Sequence, residues 1–251
     1  MLRPVLAALA ALLPLAAQAQ EGNRFAFTLR GGIEARPGYF GSDEVTVGPD
    51  LAFSFGALSL GPLSFGDPDS EAIPEGWGFR GSFRYLPERS ADDFDELAGL
   101  DDVDASVELG GGISYSQPWW EAFVVARYGV VGHNAWVGDL GMDLIARPSD
   151  RLTLRAGPRV SWGSDRFAST YFGVTSAEAA ASDFAAFDAS GGVLSAGLEA
   201  SAEYRLTDLW GIETGVRWDR LKNDAADSPI TQDDDQVSAF VGVTRRFDFR
   251  F

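Results

Sequence analysis

The chain carries one histidine and no cysteine. A histidine acid–base or Ser-His-Asp mechanism would have to use His133, while thiolate nucleophiles, thiolate metal sites and disulfides are excluded. His133 stands in Gly132-His133-Asn134 with no nucleophile motif beside it. A loop hydrogen bond is its expected use, and no catalytic residue is assigned. Three acidic clusters, Asp92-Asp93-Phe94-Asp95-Glu96, Asp101-Asp102 with Asp104, and Asp233-Asp234-Asp235, offer oxygen donors to a hard cation. None has the spacing or glycine turn of an EF-hand, so solvated loops are expected, with no metal and no cofactor. Gly110-Gly111-Gly112 falls inside an alternating segment, where it permits bending rather than cradling a phosphate.

The other charged residues recur in pairs on one parity of the chain: Arg30 and Glu34, Arg80 and Arg84, Asp104 and Glu108, Asp139 and Asp143, Arg155 and Arg159, Glu213 and Arg217. The opposite parity is aliphatic and aromatic. Charges held on one face of successive strands, with lipid-compatible side chains on the other, are what a membrane barrel places in its lumen. Such a lining could make a selective pore. It could equally fill the lumen with ion pairs, and the mixed signs favour filling.

The elements that must carry these charges follow from the period. Alternation of period two marks strands. It runs through Arg24–Arg36, Trp77–Tyr85, Val103–Tyr115, Trp136–Ala146, Leu152–Trp162, Leu194–Arg205, Trp210–Asp219 and Val237–Phe251. Val45–Phe55 and Leu58–Phe65 are weaker candidates. Trp119–Val131 is apolar on both parities, and its β-branched and aromatic content points to a strand. Eleven segments result. Barrels of this type have even strand numbers, so twelve strands are expected, with ten the alternative.

Tryptophans near segment ends fit interfacial girdles. Links alternate between short (146–151, 205–209) and long (167–190, 221–236), as periplasmic turns and external loops do. A short helix over the mouth is expected within Thr175–Phe187. Arg245 interrupts the apolar parity of the last segment and is expected to snorkel to the interface. That segment puts Phe247, Phe249 and Phe251 on one face, a pattern resembling the C-terminal signal read by the barrel-insertion machinery of Gram-negative bacteria.

At the other end, Arg3, an apolar run from Val5 to Ala17 and the small-residue site Ala17-Gln18-Ala19 read as a signal peptide over residues 1–19. Residues 20–251 then form one domain: an all-β, single antiparallel transmembrane barrel in the cell outer membrane. The formal charge of −17 argues against nucleic acid as a partner. Outer-membrane lipid and lipopolysaccharide are the expected surroundings.

Several segments, in order, resemble the MipA/OmpV family of outer-membrane proteins. Pro37, Tyr39, Gly41 and Ser42 match its P-x-Y-x-G-S turn. Arg89 with Leu97–Val103 matches an "R…L-x-G-L…D-I" passage. Gly132-His133 matches G-H-x-G, with Ala135 in place of the second glycine. Tyr171-Phe172-Gly173 matches a Y-F-G-V stretch, and Asp227-Ser228-Pro229 an "L…D-A…S-P-I" loop. The resemblance implies a non-enzymatic scaffold of murein metabolism, joining a lytic transglycosylase to a murein synthase. Other members are described as porin-like, adhesive or antigenic. A small-solute channel is therefore the alternative function, and an outer-membrane lipid hydrolase the least favoured.

Overall fold

Side chains that alternate between lipid-compatible and charged can satisfy both environments only if the sheet curls round on itself, because a bilayer tolerates no exposed sheet edge. A computed structural model of the chain describes residues 23–59 and 75–251 and the backbone of 60 and 63–65. The proposed signal peptide and its cleavage site lie outside these residues.

Strands β1 (Arg24–Pro37), β2 (Val45–Leu60), β4 (Gly76–Leu86), β5 (Ser106–Gln117), β6 (Trp120–Val131), β7 (Trp136–Ser149), β8 (Leu152–Gly163), β9 (Gly192–Arg205), β10 (Trp210–Leu221) and β11 (Asp235–Arg250) span the wall, and β3 (Leu63–Phe65) adds a three-residue ladder to β2. The order is β3-β2-β1-β11-β10-β9-β8-β7-β6-β5-β4, antiparallel at every pairing. The result is a nearly closed barrel whose first and last long strands are zipped together.

Among the described residues the spanning strands number ten, which corrects the expected twelve. Val45–Phe55 and Leu58–Phe65 are not two strands with a third missed nearby. The pairing of β1 with β2 jumps from Phe27↔Phe55 to Ala26↔Ala57, leaving Gly56 as a bulge. One bulged residue exchanges the two faces, so the parity breaks while the strand continues. Trp120–Val131 is a strand, as its composition indicates.

The outward parity is exposed to the bilayer: Leu140, Met142 and Leu144 on β7, and Val237, Val241 and Val243 on β11. No helix among the described residues is long and apolar enough to cross a membrane. Near one rim, Phe27 stacks on Phe247 at 5.1 Å and lies 6.0 Å from Phe249, tying β1 to β11. Phe251 follows the strand, exposed, and its N–H reaches the Asn23 carbonyl at 3.1 Å. Arg245 lies 4.9 Å over both Trp210 and Phe247.

The short turns after β5, β7 and β9 share the rim of Phe251, the periplasmic end by the usual arrangement of such barrels. The opposite rim gathers residues 38–44, 87–105, 132–135, 164–191 and 222–234. Helices α1 (Asp165–Phe172), α2 (Ser176–Ala181) and α3 (Asp224–Asp227) lie in these long links. The expected helix within 175–187 is α2. Helix α1, one turn earlier, escaped the sequence.

Candidate functional site

The long links fold inward over the mouth as a plug. Helix α1 presents Phe167, Ala168, Tyr171 and Phe172 at helical spacing, all buried. They pack with Ala135, Val137, Leu194, Leu221 and Ala225, and Phe40 inserts edge-on against Phe167 and Tyr171. A second cluster joins Tyr39, Phe94, Leu97, Leu100, Val174 and Ile230.

The loop motifs meet in this plug. Tyr39 accepts a hydrogen bond from Gln232 Nε2 at 2.9 Å and donates to Glu96 Oε1 at 3.2 Å. Burial and the Glu96 charge push its phenol up to about 12. Gly41 sits at φ +89°, its N–H bound to Gln236 Oε1 at 3.0 Å, and its carbonyl accepts from Gln232 N at 2.7 Å. A side chain there would collide with Thr231.

Ser42 is buried and its carbonyl accepts from Gln236. Ser228 Oγ donates to the Phe172 carbonyl at 2.6 Å, fastening α1 to the last external loop, while Asp227 and Pro229 flank that contact. Pro37 ends β1. Gly173 caps α1, its N–H on the Ser169 carbonyl. Buried Arg89 donates to the Tyr171 carbonyl at 2.9 Å, and burial draws its pKa below the ordinary arginine value. Glu178 closes a capping box with Thr175 and accepts the Asp101 N–H at 3.0 Å.

His133 lies under the plug. Its ring is edge-on to Phe167 at 5.1 Å and its side chain is fully buried. Nδ1 accepts the Ala135 N–H at 3.0 Å, which leaves Nε2 to donate to Glu108 Oε1 at 3.1 Å. The left-handed residues here are Gly132 (φ +86°) and Asn134 (φ +50°), so Ala135 does not have to take the strained position. Ser106 Oγ accepts from the His133 backbone N–H and from Tyr171 Oη, not from the ring.

Below His133 the lumen holds an ion-pair network centred on Glu108, with further separate pairs along the bore. Glu108, with no exposure, receives Arg84 through two bonds at 2.8 and 2.7 Å and Arg127 at 2.8 Å. Arg127 passes on to Asp139 at 2.6 Å, which also takes Ser161 Oγ. Arg217 reaches Ser161, Asp219 and Glu199. Deeper, Arg159 binds Asp143 at 2.6 Å and Glu199 at 3.3 Å, and Arg30 binds Asp50 at 2.6 Å and Glu213 at 3.0 Å. Towards the periplasmic rim Arg80 meets Glu121 and Arg155 meets Glu203. Glu34 pairs with Arg36.

Asp104 is the exception among the sequence-predicted lumen charges. It is exposed in the loop before β5. The bridge of Arg89 with Val103 holds that stretch against the plug, so the strand begins only at Ser106. Arg127, Asp50 and Glu121 belong to the network but escaped the sequence. Arg127 and Glu121 sit in the segment apolar on both parities, and Asp50 follows the Gly48-Pro49 pair that blurred β2. The Asp233-Asp234-Asp235 carboxylates approach one another, but Arg220 already pairs with Asp234 and Asp235.

Between plug and network remains a cavity of about 390 Å³, reaching from Tyr39, Phe40 and Phe167 down to Arg30 and Arg84.

A curled antiparallel sheet with a charged, ion-paired interior, an apolar exterior and aromatic rims is an outer-membrane β-barrel. The family model described as MltA-interacting protein MipA matches residues 11–247, and the chain belongs to that family. Among curated proteins no sequence matches. Solved structures similar to the chain include the outer-membrane protein OprG from Pseudomonas aeruginosa (13% identity, 92% of this chain and 99% of that one, TM-score 0.29). OmpT of Vibrio cholerae is another (7%, 93% and 99%, TM-score 0.33), as is a Pseudomonas aeruginosa FadL homologue (10%, 90% and 87%, TM-score 0.32).

Proposed function

We propose that this barrel is a membrane-anchored scaffold of murein metabolism rather than a pore or an enzyme. The family description, MltA-interacting protein, supports a lytic transglycosylase as the periplasmic partner. The observation that carries the reading is the double occlusion of the lumen, by the α1 plug and by the ion-pair network centred on fully buried Glu108. A conducting lumen keeps a hydrated path, and selectivity rings show one sign of charge facing it; here arginines and carboxylates neutralise each other across the bore.

The hydrolase reading has little support, since both His133 nitrogens are taken by Ala135 and Glu108. The partner would meet the periplasmic rim, where Trp119, Leu206 and Leu209 stand exposed on short turns. Crosslinking of intact envelopes, followed by purification of the barrel, should recover a lytic transglycosylase, and Leu206→Glu with Leu209→Glu should reduce its recovery at unchanged barrel level. Discrete conductance steps in planar bilayers, with no murein enzyme recovered, would replace the scaffold by a channel.

A further inference from the structure

Among the described residues the wall of the barrel has one seam without a ladder. Strands β3 and β4 end the strand order; beyond its short ladder with β3 at Leu58–Leu60, β2 pairs only with β1, β4 pairs only with β5, and among the described residues no ladder joins β2 to β4. They nonetheless approach, since a Cβ on Gly81 would lie 3.1 Å from the Phe53 ring and 3.7 Å from Phe55 Cβ. Backbone without a ladder partner costs several kcal/mol per group against hydrocarbon, and it persists only where it is covered or lines a water-filled cavity.

This seam does line the cavity. Pro49, Asp50, Leu51 and Ala52 of β2 and Phe83, Arg84, Tyr85 and Leu86 of β4 all border it. Leu51 and Tyr85 are outward residues, 62% and 41% exposed. The space between plug and network thus reaches outward-facing residues in the external half of the wall, and Phe40 packs against Phe167 and Phe172 above it.

The chemistry of the two ends of this space differs. At the seam it is apolar. Inside, six arginines border it: Arg30, Arg36, Arg84, Arg89, Arg127 and Arg217. Only four carboxylates do so, Glu34, Asp50, Glu88 and Asp219; Glu108 and Asp139, which pair with Arg84 and Arg127, are not in the lining. The Arg36 Nε is buried and has no hydrogen-bond partner. At about 390 Å³ the volume falls in the range of small-molecule sites, roughly 300–1,000 Å³.

We infer that the cavity is a binding site for a single-chain anionic amphiphile, which enters sideways from the bilayer between β2 and β4, its headgroup among the arginines and its chain along the seam.

The test uses the full barrel in lipid nanodiscs with radiolabelled laurate as the probe, and dodecanol and acetate as competitors. Laurate should bind saturably, one per barrel, at least tenfold tighter than dodecanol, and acetate should not compete. Arg36→Gln should weaken it about tenfold. Leu51→Cys with Tyr85→Cys, joined by a reducible bis-thiol linker, should slow uptake at least tenfold, and reduction should restore it. The chain has no cysteine of its own, so the clamp is unambiguous. Heat-dependent gel mobility reports that each variant is folded. Uptake no greater than in empty nanodiscs, or equal binding of dodecanol, overturns the site. Binding that the closed clamp leaves equally fast overturns the lateral route.

Discussion

The His133 imidazole donates to a Glu108 carboxylate that already holds two arginines, and neither side chain has any exposed surface. The link joins plug to lumen network. Glu108→Gln would leave Arg84 and Arg127 short of their shared buried counterion, and unpairing a buried charge typically costs about 3–5 kcal/mol. The thermal unfolding midpoint of the barrel should fall well below that of the parent. His133→Ala removes one buried hydrogen bond and some packing, on the order of 1–3 kcal/mol. Equal losses for the two variants would show that the network does not centre on Glu108.

Gly41 tests the plug separately. Its φ of +89° costs a residue with a Cβ about 1–2 kcal/mol, and Thr231 stands in the way. Gly41→Ala should loosen residues 38–44 from 231–236. Limited proteolysis of intact cells should then cut the external loops sooner, while the barrel keeps its heat-resistant gel mobility.

Tyr39 gives the plug an alkaline limit. Its phenol, raised to about 12, stays neutral in the fold above the ordinary value near 10. The favoured neutral form therefore contributes stability that is complete below pH 10 and lost as pH rises towards 12. External-loop proteolysis should accelerate across that window. Tyr39→Phe should flatten the dependence at some cost in basal stability, because Gln232 and Glu96 lose their partner.

Glu178 sets the acid limit. Burial works to raise its pKa, but the Thr175 and Asp101 N–H groups and the nearby Arg89 outweigh it and hold it below the ordinary value. Its contribution is present above the unfolded carboxyl value and disappears as pH falls through the lower folded one. Amide exchange in residues 175–181 should quicken below about pH 4, and Glu178→Gln should remove that step.

Most of the wall was legible because it obeys a local rule: alternation names strands whatever their neighbours. It failed at Gly56, where a single bulged residue imitates a strand boundary. The plug was legible only as motifs. Phe167 and Tyr171 lie four apart, as do Ala168 and Phe172, yet an eight-residue helix whose Ser164 cap makes no side-chain bond leaves little signature. What makes the plug a unit is contact between distant residues, such as Tyr39 with Gln232, 193 positions away. Arg127 was hidden for the opposite reason, since apolar neighbours on both parities concealed which side of β6 faces inward.

The zipping of β1 to β11 sets a clock as well as a shape. Arg24 and Asp248, joined by a 2.7 Å hydrogen bond, are separated by 224 positions, so this ladder cannot form until nearly the whole chain has been laid out. Contacts of such range demand that loop-closure entropy be met before they return anything, which makes formation slow. The hairpins from β4 to β11 can accumulate neighbour by neighbour, whereas β1 and β2 must dock last onto β11. Half-assembled molecules would present the β11 edge, with Phe247 and Phe249, as the surface a folding catalyst has to hold.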